Sequence, residues 1–210
     1  MAHRILYYMV DGSTAKAQQI LKEWGADDQI ELIGCAHEPL VDPSPAQMVG
    51  CEGFIGEFGP VSAKTADAMA DAGIRIVSSM SIGINHVDVS ALAQHGIITT
   101  NCPGYCSPDV AQHAAGLMLD LMRSITFSNR EVLAGAWEPT GGYTAHRTQG
   151  QTIGLVFFGN IARAMASIVQ ALGMNVVVWA PTKTCEDLAQ AACTKAETLD
   201  ELLAVSDVVS

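Results

Sequence analysis

Charge is scarce in this chain. Only 16% of its 210 residues are Asp, Glu, Lys or Arg, against a usual share of about 25%. Basic residues are scarcer still: 11 Lys and Arg face 22 Asp and Glu, for a formal charge of −11. The shortage of bases excludes a typical nucleic-acid binder, which carries a basic footprint. Low charge combined with 49% hydrophobic residues excludes intrinsic disorder, because such a chain has ample apolar surface to bury. Long hydrophobic runs are missing as well. No stretch reaches the roughly 18 uninterrupted apolar residues of a membrane-crossing helix. The run Ile5 to Val10 ends at Asp11 without a cleavage site, and it is shorter than a secretory core of about 7–15 residues. The expectation is a cytoplasmic chain with neither a membrane nor a nucleic acid as partner. Cysteines stand at 35, 51, 102, 106, 185 and 193 with no C-x-x-C pair. Free thiols are therefore expected, and no metal site. The length fits one large domain or two small ones.

What is present is an alternation of short apolar runs and helical stretches, the pattern of an α/β fold with a parallel sheet. Ile5–Val10, Ile30–Gly34, Gly53–Gly56, Ile74–Ser79 and Ile97–Thr100 read as strands. Ala15–Trp24, Ser62–Ala72 and Val89–His95 read as helices, with Ser62 as N-cap, Asp88 capping the third helix and Gly73 ending the second. His37–Pro45, rich in proline, reads as a loop. Residues 1–100 form a doubly wound domain on this reading.

A long helix then starts at Ser107-Pro108-Asp109. Serine suits the N-cap, proline the first helical position and aspartate the positive end of the dipole. Val110, Ala114, Leu117, Met118, Leu121, Met122 and Ile125 recur at helical spacing as one apolar face, and the helix is expected to reach about Ala134, with a kink allowed on the way. A Gly- and Thr-rich connection, Thr140–Gly150, leads to a strand at Thr152–Phe157, a helix at Asn160–Leu172 and a strand at Asn175–Trp179. Short helices at Cys185–Ala192 and Leu199–Ala204 follow, and Val208–Ser210 begins another strand. No internal repeat and no low-complexity tract is found.

The strand, turn and helix at 152–172 stand where a dinucleotide fingerprint, G-x-G-x-x-G/A, would sit. The six positions read Phe157-Phe158-Gly159-Asn160-Ile161-Ala162. Gly159 is the second glycine, which lets the backbone approach a pyrophosphate, and Ala162 is an accepted third. Phe157 replaces the first, which makes the tight turn. An ordinary strand-to-helix turn is the competing reading. An acid about 20 residues further on would bind the adenosine ribose, but Trp179-Ala180-Pro181-Thr182-Lys183 contains none. Without that acid a 2′-phosphate meets no repulsion, and Thr182 and Lys183 are candidates to receive it. A solvated loop lysine explains Lys183 equally well, so NAD and NADP both stay open.

Several ordered motifs then resemble one family. Ser-Met-Ser-Ile-Gly-Ile-Asn-His-Val-Asp at 79–88 is similar to the A-x-V-G-x-D-N-I-D segment of the D-isomer-specific 2-hydroxyacid dehydrogenases. Gly96 to Gly104 resembles G-I-x-V-x-N-x-P-G, Val110 to Ala114 resembles V-A-E-H-A, and Gly135-Ala136-Trp137 matches G-x-W. Gln149 to Gly154 resembles L-x-G-K-T-x-G, and Leu199 to Ser210 resembles L-D-E-L-L-x-x-S-D-V-V-S. Order and spacing agree over residues 75–210. The N-terminal part is compatible but less specific.

The resemblance implies a flavodoxin-like substrate domain at 1–100, followed by an incomplete Rossmann domain for NAD or NADP at 101–210. It implies that backbone N–H groups around Ile82 and Gly83 hold the carboxylate of a small 2-hydroxy or 2-oxo acid, with Ile82 also near the nicotinamide. Asn160 and Ile161 would meet the pyrophosphate beside Gly159, Ala180 and Thr182 would face the adenosine ribose, and Ser107 would line the cofactor site. The family's Arg, Glu and His motifs, which clamp the substrate and move the proton, do not occur in these 210 residues. The chain is therefore expected to be a front part of such an enzyme, inactive and poorly soluble alone, with no catalytic residue of its own. The alternative is a naturally short, non-catalytic remnant that binds a nucleotide or a partner. His113 lies opposite the apolar stripe, His86 stands where the family often has asparagine, and His146 reads as a loop residue. Glu57 and Phe58 are candidates for substrate choice. The long helix from Ser107 also builds the family's homodimer, although core packing explains its apolar face nearly as well.

Overall fold

Period-two burial along the first strand organises the N-terminal unit. Leu6 and Tyr8 are buried on one face of the strand His3–Met9 (β1), while Ile5 and Tyr7 point to the other. The computed structural model describes residues 2–57, 59–137 and 143–210. Phe58 and residues 138–142 of the predicted Gly- and Thr-rich connection lie outside the described residues. The chain divides into two units, Met1–Tyr105 and Cys106–Ser210.

In the first unit β1 is followed by α1 (Ala15–Glu23), β2 (Ile30–Ala36), α2 (Pro45–Met48), β3 (Gly53–Gly56), α3 (Ala63–Ala72), β4 (Ile76–Ser79), α4 (Val89–Gln94) and β5 (Ile98–Thr100). All strand pairs are parallel, in the order β2-β1-β3-β4-β5. This is the flavodoxin-like order, in which ligands gather outside the carboxyl ends of the strands. Leu6, Tyr8, Phe54 and Val77 meet Met48, Ala66, Met69 and Leu92 in its core. The caps are local. The Ser62 hydroxyl accepts from the Thr65 N–H, Asp88 accepts from the Ala91 N–H, and Gly73 closes α3 at φ 87°. β4 starts at Ile76 rather than Ile74, because the Ile74 N–H still bonds the Met69 carbonyl in the helix cap. The proline-rich loop contains α2, a single turn closed by a reciprocal Ser44–Gln47 cap.

The second unit begins with α5 (Ser107–Arg123) and α6 (Ile125–Leu133). It continues with β6 (Thr152–Val156), α7 (Asn160–Ala171), β7 (Asn175–Trp179), α8 (Cys185–Ala189), β8 (Thr194–Lys195), α9 (Leu199–Val205) and β9 (Val208–Val209). Its four strands are parallel in the order β8-β7-β6-β9. That is the 3-2-1-4 succession of a Rossmann sheet. β6 is central, and β8 and β9 form the edges. Gly154 in β6 faces α9 so closely that a Cβ would overlap Ser206 Oγ and the Leu202 side chain. Among the described residues no helix is long and apolar enough to cross a membrane.

Three expectations about the long helix are corrected. Cys106, not Ser107, is its N-cap, and Ser107 is the first helical residue, 7% exposed, with no partner for its hydroxyl. The helix stops at Arg123, where Ser124 turns left-handed at φ 54°. The Asp120 carboxylate causes the break by accepting the Thr126 N–H at 2.6 Å and the Thr126 hydroxyl at 2.7 Å, in the manner of a cap for α6. The apolar face is also split. Ala111, Ala115, Met118 and Met122 are the buried residues, and they belong to the core shared with α7. Val110, Leu117, Leu121 and Ile125 are 40%, 54%, 78% and 55% exposed. Alanines on the first row let the two helices approach closely, so α7 takes that row and leaves the larger side chains outside.

Candidate functional site

The turn that ends β6 keeps its fingerprint geometry despite its sequence. Phe157 adopts φ 72°, the left-handed conformation suited to glycine. Its N–H donates to the Trp179 carbonyl at 2.8 Å, and its ring, 59% exposed, lies 5.4 Å from the Trp179 ring. Phe158 turns into the core, with the Arg163 guanidinium 5.6 Å over it. Gly159 is the N-cap of α7, and a Cβ there would meet nothing within 4 Å. The first N–H groups of α7, on Asn160, Ile161 and Ala162, have no intrahelical acceptor and sit at the positive end of a 12-residue helix. Such a terminus accommodates a pyrophosphate.

A paired substitution isolates the strain at this turn. Phe157→Ala and Phe157→Gly both remove the ring, but only glycine tolerates the conformation. The glycine variant is expected to be more stable than the alanine variant by about 1 kcal/mol, as measured by urea unfolding. Equal stabilities would contradict a strained turn.

The residues after β7 lie beside this terminus in sheet order. Ala180 is 2% exposed, so its methyl packs in the core. Its carbonyl accepts the Lys183 N–H at 3.0 Å, which places Pro181 and the exposed Thr182 at the corners of a turn. Thr184 caps α8. Its N–H donates to the Asp187 carboxylate at 2.9 Å, and its hydroxyl accepts from the Asp187 N–H at 3.1 Å. Those bonds hold the Asp187 carboxyl below its ordinary range, and the charges of Lys183 and Arg163 push the same way. Arg163 was not singled out from the sequence. Its only signal is its place one turn beyond Gly159.

In the first unit, the loop after β4 is tied down through its carbonyls. The Cys102 N–H bonds the Ser81 carbonyl at 3.0 Å, the Asn101 side-chain amide bonds the Ile82 carbonyl at 2.7 Å, and the Ser81 hydroxyl bonds the Gly83 carbonyl at 2.7 Å. In a trans peptide the N–H points opposite the carbonyl. The first two bonds therefore turn the N–H groups of Ile82 and Gly83 away from their anchors. Neither N–H finds an acceptor among the described residues. A Cβ on Gly83 would meet nothing within 4 Å. Successive backbone donors in this arrangement suit an anion. Asn101 is the residue missed here. It lies in a quoted motif, but its bond to Ile82 spans 19 positions.

Of the remaining candidates, Glu57 is half-buried just past β3, with its N–H on the Tyr8 carbonyl. His113 is exposed on α5, and His146 is exposed with its N–H on the Met122 carbonyl. His86 is half-buried within 3.4 Å of Ser79 Oγ.

Comparison with known proteins bears on the family and the fold. Residues 115–210 match the family described as D-isomer specific 2-hydroxyacid dehydrogenase, NAD binding domain. The chain is 36% identical over 137 residues to the (S)-sulfolactate dehydrogenase of Chromohalobacter salexigens, covering 65% of this chain and 44% of that protein. It is 33% identical over 147 residues to the hydroxypyruvate reductase of Thermotoga maritima, covering 70% of this chain and 46% of that one. The matches thus span less than half the length of these curated relatives. Among solved structures, the Aquifex aeolicus D-lactate dehydrogenase, determined with NAD and lactic acid, shares the fold at a TM-score of 0.81. There the identity is 21%, over 98% of this chain and 59% of that one. By its ordered motifs, its parallel sheet and these matches, the segment 115–210 belongs to the NAD-binding domain of the D-isomer-specific 2-hydroxyacid dehydrogenase family.

Proposed function

We propose that the whole protein is an oxidoreductase that interconverts a small 2-hydroxy acid and the corresponding 2-oxo acid, with hydride passing to or from NAD or NADP. This chain supplies two of the necessary sites. Gly159, Asn160 and Ile161 hold the pyrophosphate, Ala180 and Thr182 border the adenosine ribose, and Ser107 offers the cofactor its unpartnered hydroxyl. Ile82 and Gly83 hold the substrate carboxylate. Residues 1–100 are assigned to substrate and 101–210 to cofactor, in a cytoplasmic protein. The observation that carries this reading is the open N-terminus of α7 at Gly159, set after the central strand of a 3-2-1-4 sheet. A bound nicotinamide supplies the hydride chemistry. The family's substrate clamp and proton carrier are absent from these 210 residues, so the role proposed for this chain is binding.

NADPH is accepted beside NADH, because Ala180 to Lys183, the residues directly after β7, include no acid to repel a 2′-phosphate, and the charges of Lys183 and Arg163 already act together on Asp187 at this turn. Calorimetric titration with both cofactors tests this. Lys183→Glu is expected to weaken NADPH about tenfold more than NADH, the worth of one charge-assisted contact. Equal losses would remove Lys183 from the phosphate. The strained, exposed Phe157 at the cofactor turn favours a second reading, a non-catalytic binding protein. Absence of heat with either cofactor would leave only a partner-binding role.

We also assign the exposed row of α5, continued by Val132 and Leu133 on α6, to a homodimer interface.

A further inference from the structure

We propose that His86 is a positioning residue for the carboxylate loop, acting through Ser79 and Ser81 to orient the peptide that joins Gly83 to Ile84. The inference rests on the reading of Ile82 and Gly83 as the carboxylate site. The Gly83 carbonyl can only accept, so the Ser81 hydroxyl must donate to it across 2.7 Å. With its proton committed, Ser81 Oγ accepts from Ser79 Oγ, also at 2.7 Å. Ser79 in turn accepts from His86 Nε2 at 3.4 Å. The direction of every bond follows from the carbonyl at one end. The imidazole must therefore carry a proton on Nε2.

The chain of hydrogen bonds has one buried member, Ser79, between the half-buried Ser81 and His86. Ser79 is 3% exposed and shielded from water, so its hydroxyl is satisfied within this chain. The His86 backbone is held by the Val61 N–H on its carbonyl at 2.9 Å, and the Asp88 N–H bonds the Val61 carbonyl at 2.8 Å. Val87 between them is buried. Anchoring the Gly83 carbonyl turns the Ile84 N–H the opposite way, and that N–H has no acceptor among the described residues. The loop thus presents a third donor after those of Ile82 and Gly83. The first two depend on Cys102 and Asn101. The third depends on His86.

The test uses the ¹⁵N-labelled 210-residue chain and oxamate, an unreactive 2-oxo acid analogue. Long-range ¹H–¹⁵N spectra should show a proton on His86 Nε2, and an imidazole protonated on Nδ1 alone would overturn the proposal. Oxamate should shift the amide signals of Ile82, Gly83 and Ile84. His86→Phe should bind it about five-fold more weakly, the worth of one hydrogen bond, and lose the Ile84 shift. His86→Gln, whose amide reaches the same hydroxyl, should restore both. If Ile82 and Gly83 do not respond in the parent chain, the carboxylate reading fails and this proposal fails with it. If they respond equally in the parent and His86→Phe, only the role of His86 is refuted.

Discussion

A Gly154→Val chain is expected to lose a substantial part of the stability of its C-terminal unit. Gly154 lies in β6, paired on one side with β7 and on the other with β9. Even a methyl at this position overlaps Ser206 Oγ and Leu202 of α9. Leu202 is fully buried, and Ser206 is fixed by donating its hydroxyl to the Leu202 carbonyl at 2.6 Å. Neither side chain has room to retreat, and β6 cannot move without breaking two strand pairings. Overpacking typically costs about 1–3 kcal/mol, and valine places two further methyls in the same space. Against the roughly 5–15 kcal/mol that hold a domain together, such a loss shows plainly in urea unfolding monitored by Trp179 fluorescence. Leu202→Ala opens the space from the other side. The double variant Gly154→Ala/Leu202→Ala is expected to be more stable than the sum of its parts. Wild-type unfolding of Gly154→Val would show that α9 does not press on β6. The effect extends to the turn at Phe157–Gly159, because β6 leads directly into it.

The second large effect concerns association. Leu117→Glu/Leu121→Glu is expected to turn a dimer into a monomer at micromolar concentration, with affinity falling by at least about 100-fold, since an interface would have to desolvate two carboxylates per chain. Neither leucine is in the core, so the variant should melt like its parent. Sedimentation velocity separates the outcomes, and a parent chain that is already monomeric would remove this face as the interface. Each chain carries a net charge of −11, so added salt should strengthen the parent dimer by screening repulsion.

The local signals were legible. Ser62, Asp88 and Gly73 could be read as caps and stop because each acts on backbone within four residues of itself. The strands Gly53–Gly56 and Asn175–Trp179 emerged with their boundaries because turn residues or glycines flank them. Gly159 could be placed because a fingerprint assigns it a mechanical task. β8 could not, since a strand of two residues, Thr194–Lys195, exists only because β7 offers it a ladder. A kink before Ala134 was allowed by the sequence but its place at Ser124 was not, because periodicity counts apolar positions and ignores a carboxylate that bonds the backbone six residues ahead.

The amino-acid order by itself determined the α/β class, the succession of elements, the family motifs and the strand–turn–helix at Gly159. These follow from neighbours along the chain, where spacing and residue type suffice. Tertiary structure alone decided which row of α5 is buried, because α7 selects it by the small size of Ala111 and Ala115. It alone drew Arg163 toward the Asp187 carboxylate, and it brought Asn101 from a separate segment onto the Ile82 carbonyl. Those contacts join residues whose own local signals are weak. Their energy arises only when the sheets assemble and bring distant carbonyls, hydroxyls and charges within hydrogen-bonding reach.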